Sequence, residues 1–307
     1  METITEEIQR WFATATSNSA YQISSAGQEY KAFVIKTSDE FGVAVPYNGK
    51  TVNEDFAHAR MFSDYRKIGA VTGDYLFLVS DVTQTRNEFA SICENFVNPG
   101  LNGNTRKELI ADPSAWWKRW KTVIGNKNSE KRPYSILGEM LIYMYLKKAG
   151  KNPVWSGPGF KTHDIQTTEA DYEVKSSLRH HNRVVEINGE FQLSEGKPLY
   201  LCYCRFEENV SGVCIDDVVR KLADDGDDEG EINRLLALQG YRVGNSSRKV
   251  KYQLLESLEY TVDDQFPCIK PEIFKGNKYP EGVSNISYSL SLDNLPRTVI
   301  EIELTDN

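Results

Sequence analysis

The sequence predicts an α/β protein in which a β-rich N-terminal region precedes a region of alternating helices and strands. Three observations lead to this fold class. Residues 28–82 contain several stretches that alternate between apolar and polar, the pattern of half-buried strands. Residues 134–149 place apolar side chains at helical spacing, and strand-like stretches follow that helix. An Asn-, Gly- and Pro-rich loop at 98–104 separates the two patterns, so we expect domains at 1–104 and 105–307.

The N-terminal region is expected to start with a short amphipathic helix at 1–15 and to continue mainly as strands. The apolar residues of this helix share one side: Ile4, Ile8, Trp11 and Phe12. Strands are predicted at 30–36, 41–45 and 75–82, and a helix is predicted at 85–97. These elements make residues 1–104 an α+β accessory domain.

The C-terminal region is predicted to alternate between helices and strands. Pro113 suits the first turn of a helix that carries three tryptophans. The next helix, at 134–149, carries Glu139 among apolar neighbours, and Gly150 ends it. A Pro- and Gly-rich loop at 153–159 then leads to the following strands. Further strands are predicted at 170–176, 183–188 and 199–206, followed by an extension with helices at 213–223 and 229–239 and strands at 250–262, 284–292 and 298–303.

Two carboxylates and one amine are spaced to meet at the end of a sheet. Glu173 and Lys175 are two residues apart in a predicted strand, so their side chains point to the same face. Asp164 precedes Glu173 by nine residues, far enough to come from an adjoining strand or turn. Such groups can bind a divalent metal ion and hold a water molecule beside it, which is the minimum needed to cut a phosphodiester.

Charge is distributed unevenly along the chain. The net charge is −8, and residues 207–232 hold ten acids against two basic residues, so this window accounts for all of it. Basic residues concentrate at 106–132, 175–183 and 241–252. The net charge argues against a protein that coats nucleic acid nonspecifically, whereas local basic faces suit contact with a few phosphates. Each basic cluster is also compatible with an ordinary solvated surface.

Several classes of protein are disfavoured. No apolar run approaches the roughly 20 residues needed to cross a bilayer, and the acidic N-terminus does not resemble a signal peptide. The five cysteines include no CxxC pair, which favours reduced core thiols in a cytoplasmic protein. The sequence has no GxSxG, Walker or GxGxxG motif and no zinc-binding spacing of histidines and cysteines. Any translocation along DNA would therefore depend on a partner.

Several short segments together carry a family resemblance. They are Gly138-Glu139, Trp155-Ser-Gly-Pro158, His163-Asp164, Glu173-Val-Lys175-Ser-Ser177, Gln192-Leu193, Phe266-Pro267 and Ile286-Ser-Tyr288. Through them the chain resembles the PD-(D/E)XK nuclease superfamily, and more specifically a bacterial group of its members without an assigned activity. The resemblance covers roughly residues 130–300 and implies a restriction-endonuclease-like core, a mixed central sheet flanked by helices.

The resemblance also implies roles for individual residues. Asp164, Glu173 and the backbone carbonyl of Val174 resemble the ligands of Mg²⁺, for which Mn²⁺ can substitute. Lys175 resembles the lysine that orients the attacking water and offsets charge in the transition state. Glu139 looks like the helix glutamate that joins through a water or a second metal ion, and the alternative is an ordinary helix carboxylate. The implied products carry 5′ phosphates.

A second set of residues is predicted to contact the phosphate backbone. The set comprises His163, Ser176, Arg179, His181 and Gln192. Gln192 belongs to it because the resemblance places a polar residue beyond the lysine, near the scissile phosphate. The others carry basic or hydroxyl groups beside the predicted site. The alternatives stay open: Ser176 continues the strand, and His181 with His180 fills a hairpin turn.

The resulting hypothesis is a Mg²⁺-dependent DNA endonuclease, and the resemblance implies a role in restriction or phage defence. A homodimer is a natural arrangement for cutting both strands, and a methyltransferase or an ATPase is a candidate partner. Three alternatives remain: an inactive nuclease fold that binds DNA or protein, a nuclease that acts on RNA, and a scaffold held in a complex through its acidic segment. The presence of Asp164, Glu173 and Lys175 together favours the enzyme.

Overall fold

The chain divides into two compact units. Unit 1 consists of Met1–Glu130 together with Gly240–Ser246, and unit 2 consists of Lys131–Gln239 together with Ser247–Asn307. The computed structural model describes residues 2–56, 59–69, 71–124, 132–156, 163–188, 193, 197–270, 273–274, 279–280 and 286–303, without the side chains of residues 56 and 122–124. Within these ranges, none of the helices has the length and apolar character needed to span a membrane.

Unit 1 is built on a six-stranded sheet with the order β1-β2-β3-β6-β5-β4, in which every neighbouring pair is antiparallel. The strands are β1 Ser19–Gln22, β2 Phe33–Lys36, β3 Phe41–Pro46, β4 Asn53–Phe56, β5 Ala59–Ile68 and β6 Val71–Ser80. Strands β3 and β6 approach closely at Gly42, where an added Cβ would lie 2.0 Å from the carbonyl oxygen of Leu78. Only glycine fits at this position.

Helices cover one face of the unit 1 sheet. They are α1 Ile4–Thr14, α2 Arg86–Val97, α3 Asn104–Ala111 and α4 Pro113–Ile124. Helix α1 begins at a capping box, in which the Thr3 hydroxyl accepts from the Glu6 N–H and the Glu6 carboxylate accepts from the Thr3 N–H. Phe12, Phe89 and Trp117 from three of these helices join strand residues in one apolar core.

Unit 2 is built on a mixed six-stranded sheet with the order β14-β12-β11-β9-β8-β7. Strands β9 and β11 run parallel, and the other neighbouring pairs are antiparallel. The strands are β7 Val154–Trp155, β8 Ile165–Gln166, β9 Asp171–Ser177, β11 Leu199–Val213, β12 Tyr252–Val262 and β14 Thr298–Val299. A separate antiparallel pair consists of β10 Val184–Asn188 and β13 Ser287–Ser291.

The helices of unit 2 are α5 Pro133–Lys148, α6 Ile215–Asp224 and α7 Glu229–Leu238. Helix α5 has Pro133 in its first turn, and the chain leaves it through Gly150 at φ 72°, a conformation that glycine adopts without strain. The helix is buried on most sides and packs against β9. It therefore holds its one buried carboxylate, Glu139, close to the strand that carries Glu173 and Lys175.

The predicted fold class is confirmed, since a mixed sheet flanked by helices follows a β-rich N-terminal region. Strands β1, β4, β5, β7 and β8 and helix α3 were not predicted, and β11 is longer than expected. The chain passes from unit 1 to unit 2 after residue 130. The domain boundary predicted after residue 104 therefore lies within unit 1, and as a boundary between functional domains it stays a prediction. The loop predicted at 153–159 was wrong in part, because Val154–Trp155 pair with β8 as strand β7, and residues 157–159 lie outside the described residues.

Candidate active site

Strand β9 supplies the centre of the candidate site. The side chains of Glu173 and Lys175 share one face of the strand, and Lys175 Nζ lies 2.8 Å from Glu173 Oε1. Both side chains are largely buried, with 4% of Glu173 and 15% of Lys175 exposed. A paired carboxylate and ammonium are less costly to bury than either charge alone, which keeps both groups in a defined geometry.

Asp164 directly precedes β8, and its side chain reaches β9. Its Oδ2 accepts a hydrogen bond from the backbone N–H of Val174 at 2.9 Å. Its own carbonyl oxygen accepts from the N–H of Ser156 at 2.9 Å, which ties the segment to β7. Because the N–H and C=O of a strand residue point to the same side, the carbonyl of Val174 also faces the side on which Asp164 lies.

Glu139 approaches the same place from α5. Its carboxylate is buried, and Oε2 accepts a hydrogen bond from the indole Nε1–H of Trp155 at 2.9 Å. The preceding residue, Gly138, allows α5 to lie close to β9, because an added Cβ would be 2.2 Å from the hydroxyl oxygen of Ser176. The absence of a side chain at Gly138 thus lets the helix carry Glu139 to the strand.

These residues line a single pocket in unit 2 with a volume of about 600 Å³. The residues that line it are Arg132, Tyr134, Ser135, Glu139, Asp164, Glu173, Val174, Lys175, Ser176, Ser177, Leu178, Arg179, Val184, Val185, Glu186 and Asn188. All four predicted catalytic side chains are among them, together with two of the predicted phosphate contacts. The pocket therefore combines clustered carboxylates, one lysine and two arginines on a surface open to a ligand.

The carboxylates leave the pocket rich in negative charge. The pKa of Glu173 is raised to about 8, because burial and then the charge of Asp164 raise it more than the neighbouring Lys175 lowers it. Glu139 adds a smaller effect in the same direction as Asp164. A divalent cation would offset this charge, and carboxylate and carbonyl oxygens are the donors that Mg²⁺ prefers.

The described side chains offer few ligands for a metal ion. Over the described ranges, no group of three or more His, Cys, Asp or Glu side chains is placed to hold a metal ion. A cation at Asp164 and Glu173 would therefore draw its remaining ligands from the backbone and from water. Mg²⁺ tolerates this arrangement, since it commonly keeps several waters and binds one or two carboxylates.

Only some of the predicted phosphate-contacting residues that the structure describes line the pocket. Ser176 and Arg179 line the pocket, whereas His163 and His181 are not among its lining residues in the described part of the chain. The His163 ring is buried with Nδ1 3.4 Å from Asp171 Oδ2, and His181 is exposed in the turn after β9. Gln192 lies outside the described residues.

Sequence reasoning missed several residues of the pocket wall. Arg132 is exposed just before α5, and its Nη1 donates a hydrogen bond to the hydroxyl of Tyr134 at 2.9 Å. Glu186 and Asn188 come from β10, whose packing beside β9 the sequence does not reveal. The position of Arg132 at the end of the basic cluster 106–132 was the one available signal for it.

Comparison with known proteins gives a match to a protein family. A protein-family model described as “Putative PD-(D/E)XK family member, (DUF4420)” matches residues 8–293, a span that includes every residue discussed above for the site. Curated proteins gave no match, and solved structures gave none either.

Proposed function

The chain belongs to this PD-(D/E)XK family, and from that membership we propose that it is a Mg²⁺-dependent endonuclease that hydrolyses phosphodiester bonds in DNA. One observation carries the proposal. Asp164, Glu173 and Lys175 line the same pocket, and the lysine ammonium lies 2.8 Å from the Glu173 carboxylate. Clustered carboxylates beside a fixed ammonium suit hydrolysis of a phosphodiester better than they suit simple adhesion to nucleic acid.

Asp164, Glu173 and the carbonyl oxygen of Val174 are the groups that would hold Mg²⁺. Their fit rests on the hard oxygen donors, and on the burial and the nearby Asp164 charge that raise the pKa of Glu173 and that a cation would offset. When bound, the ion would supply Lewis-acid stabilisation of charge on the phosphate and on the leaving 3′ oxygen. Mn²⁺, with similar ligand preferences, is expected to substitute.

Lys175 is the residue that we propose acts on the attacking water. Its ammonium is held by Glu173 and can donate a hydrogen bond to that water and to a phosphate oxygen as negative charge develops. The water oxygen forms a bond to phosphorus while the bond from phosphorus to the 3′ oxygen breaks. The proton lost by the water balances the one gained by the 3′ oxygen, which leaves a 5′ phosphate and a 3′ hydroxyl.

We propose that Arg132, Ser176 and Arg179 bind phosphates around the scissile bond. All three line the pocket, and the two arginines offer charged donors of the kind that fix a nucleic acid backbone. The hydroxyl of Ser176 has no hydrogen-bond partner among the described residues, but it is buried against Gly138, so a phosphate contact would require its side chain to rotate toward the pocket. Contacts of this kind would position the substrate without reading its sequence.

A plasmid-nicking assay tests the activity. With Mg²⁺, we expect the wild-type protein to convert supercoiled plasmid into open-circular and linear forms. Asp164→Asn and Lys175→Met should each lower the rate by roughly 10²-fold or more, because each removes a charge that acts on the reacting groups. Glu259→Gln is the matched control, since Glu259 is a half-buried carboxylate on β12 that is absent from the pocket wall.

The outcomes separate the alternatives. Cleavage that survives both site changes would refute the assignment of the site. Preference for RNA over duplex DNA in a substrate panel would identify an RNA-directed nuclease. Binding without any cleavage, with a well-folded protein and either metal, would identify an inactive nuclease fold.

We further propose that the activity serves restriction or phage defence, as the family resemblance implies. The sequence contains no NTP-binding loop, so movement along DNA would require an ATPase partner, and a methyltransferase would protect host DNA. A bacterial strain that expresses the gene should plate phage less efficiently than one that expresses Asp164→Asn. Equal plating by both strains over a panel of phages would contradict this role.

A further inference from the structure

Trp155 connects the candidate metal site to the edge of the sheet in unit 2. Its indole Nε1–H donates to Glu139 Oε2 at 2.9 Å, and 6% of Trp155 and 2% of Glu139 are exposed. An indole N–H can only donate, and a carboxylate accepts most strongly when it is ionised. The bond therefore restricts where the Glu139 carboxylate lies.

The backbone of Trp155 is fixed to the segment that carries Asp164. Trp155 is paired with Ile165 between β7 and β8, and the N–H of Ser156 donates to the carbonyl of Asp164 at 2.9 Å. The Ser156 hydroxyl also donates to the carbonyl of His163 at 2.9 Å. Trp155 thus joins the carboxylate on α5 to the segment that presents Asp164.

We propose that Trp155 is a positioning residue, whose indole N–H holds the Glu139 carboxylate at the pocket wall and thereby sets the affinity of the site for a divalent cation. This inference rests on the proposed function. The physical basis is that a buried carboxylate without its donor is costly, so it moves away from its present place at the pocket wall. Hydrogen-bonding groups that surround a metal site typically change its affinity by about 10- to 100-fold when removed.

Mn²⁺ binding in the absence of DNA provides the test. Isothermal titration calorimetry would compare the wild-type protein with Trp155→Phe, Glu139→Gln and the double variant. Phenylalanine keeps most of the ring and limits change in a second pocket of about 450 Å³, which Trp155 also lines. We expect Trp155→Phe to weaken Mn²⁺ binding by about tenfold or more. The double variant should bind no more weakly than Glu139→Gln alone, since Trp155 acts through Glu139.

Trp117→Phe is the matched control. Trp117 lies on α4 in unit 1, is 1% exposed, and has an indole N–H without a hydrogen-bond partner among the described residues. This change removes a buried indole without removing a contact to a carboxylate. We expect wild-type Mn²⁺ affinity for this variant.

The results distinguish failure of this inference from failure of the proposed function. If the wild-type protein binds Mn²⁺ and nicks DNA while Trp155→Phe binds equally well, the positioning role is refuted and the nuclease stands. Additive losses in the double variant would also refute it, because Trp155 would then act independently of Glu139. A wild-type protein that neither binds Mn²⁺ nor nicks DNA would overturn both proposals.

A measurement on the wild-type protein covers the case in which Trp155→Phe does not fold. The indole ¹⁵N–¹H resonance of Trp155 can be assigned by exclusion, with Trp→Phe changes at the other tryptophans. We expect this resonance to shift on addition of Mg²⁺ while that of Trp117 stays in place. An unmoved Trp155 resonance at saturating Mg²⁺ would contradict the inference.

Discussion

Asp164 combines a structural contact with a proposed chemical role in one carboxylate. Its Oδ2 accepts the N–H of Val174 at 2.9 Å, and its charge raises the pKa of Glu173. Asparagine can keep the acceptor but loses the charge, whereas alanine loses both. We therefore expect Asp164→Asn to fold normally with weakened Mn²⁺ binding, and Asp164→Ala to lose roughly 1 kcal/mol of stability in addition.

Urea unfolding and Mn²⁺ calorimetry on the two variants would check this division. The informative quantity is the difference between asparagine and alanine in the free energy of unfolding, since both lose the charge. Equal stability of the two variants would show that the hydrogen bond to Val174 contributes nothing. Unchanged Mn²⁺ affinity in both would remove Asp164 from the metal site.

Residues close in sequence could be placed from the sequence, whereas contacts across elements could not. The period of two along a strand was enough to put Glu173 and Lys175 on one face, and their polar atoms lie 2.8 Å apart. The bond between Trp155 and Glu139 joins a strand to a helix and depends on packing that no local pattern specifies. The place of Arg132 in the pocket wall could not be predicted for the same reason.

At the scale of elements, the contact between α5 and β9 depends on Gly138. Helix propensity alone predicts that Gly138→Ala stabilises α5 by about 1 kcal/mol. The structure predicts the opposite, because the new Cβ would lie 2.2 Å from the buried Ser176 hydroxyl oxygen. We expect Gly138→Ala to cost roughly 1–3 kcal/mol, as overpacking usually does.

Ser176→Ala is the companion change, because the hydroxyl is the atom in conflict. The Cβ of Ser176 would be 3.5 Å from the added methyl group, an ordinary contact. The double variant Gly138→Ala/Ser176→Ala should therefore recover most of the lost stability in thermal melts. Failure of the double variant to recover would show that α5 and β9 conflict through other atoms.

Two buried carboxylates in unit 1 should respond to pH in opposite ways. Burial raises the pKa of Glu54 on β4, although the Ser246 N–H and the Ser114 hydroxyl donate to it. Burial alone would also raise the pKa of Glu7, but hydrogen bonds from Ser25 and Ser24 lower it overall. Glu54 therefore favours folding when protonated, and Glu7 favours it when ionised.

The direction of each pKa shift determines whether its substitution stabilises or destabilises the protein at a given pH. The contribution of Glu54 is lost as pH rises from about its ordinary value of 4.5, so Glu54→Gln should gain stability relative to the wild type between pH 4.5 and 7. The contribution of Glu7 is present at pH 7 and lost as pH falls below 4.5, so Glu7→Gln should be destabilised at pH 7 and approach the wild type in acid. Urea unfolding followed by tryptophan fluorescence would measure both, and equal pH profiles for the two variants would contradict the assignment.

The elements that sequence patterns missed share weak periodicity. Strand β5 carries charged and exposed residues along its second half, so its pairing with β6 is not visible as apolar alternation. Helix α3 has eight residues and little segregation of apolar side chains. Helix α5 and the first half of β11 were predicted because their many buried apolar residues give a strong pattern, and β9 was predicted from a shorter alternation.

At the scale of the whole molecule, the chain enters unit 1 a second time. Residues 240–246 belong to this unit, where Arg242 pairs with Asp55 at 2.6 Å and the Asn53 N–H donates to the carbonyl of Gly244 at 3.3 Å. Arg242 and Asp55 are 187 residues apart in sequence. The sequence could indicate a division into two regions, but it could not indicate that one segment would return to unit 1.

Binding to DNA should depend on a few cations around the pocket rather than on the overall charge. The net charge of −8 opposes bulk adhesion, whereas Arg132, Lys175 and Arg179 line one pocket. Each phosphate contact contributes about −0.9 to the slope of log K against log salt. In EDTA, we expect Arg132→Gln to make that slope shallower by about 1 in fluorescence anisotropy with a duplex.

The control is Arg234→Gln, since Arg234 is exposed on the acidic helix α7 and pairs with Glu231 at 2.7 Å. If both variants change the slope equally, the pocket is not where phosphates bind, because a general loss of positive charge would then explain the effect.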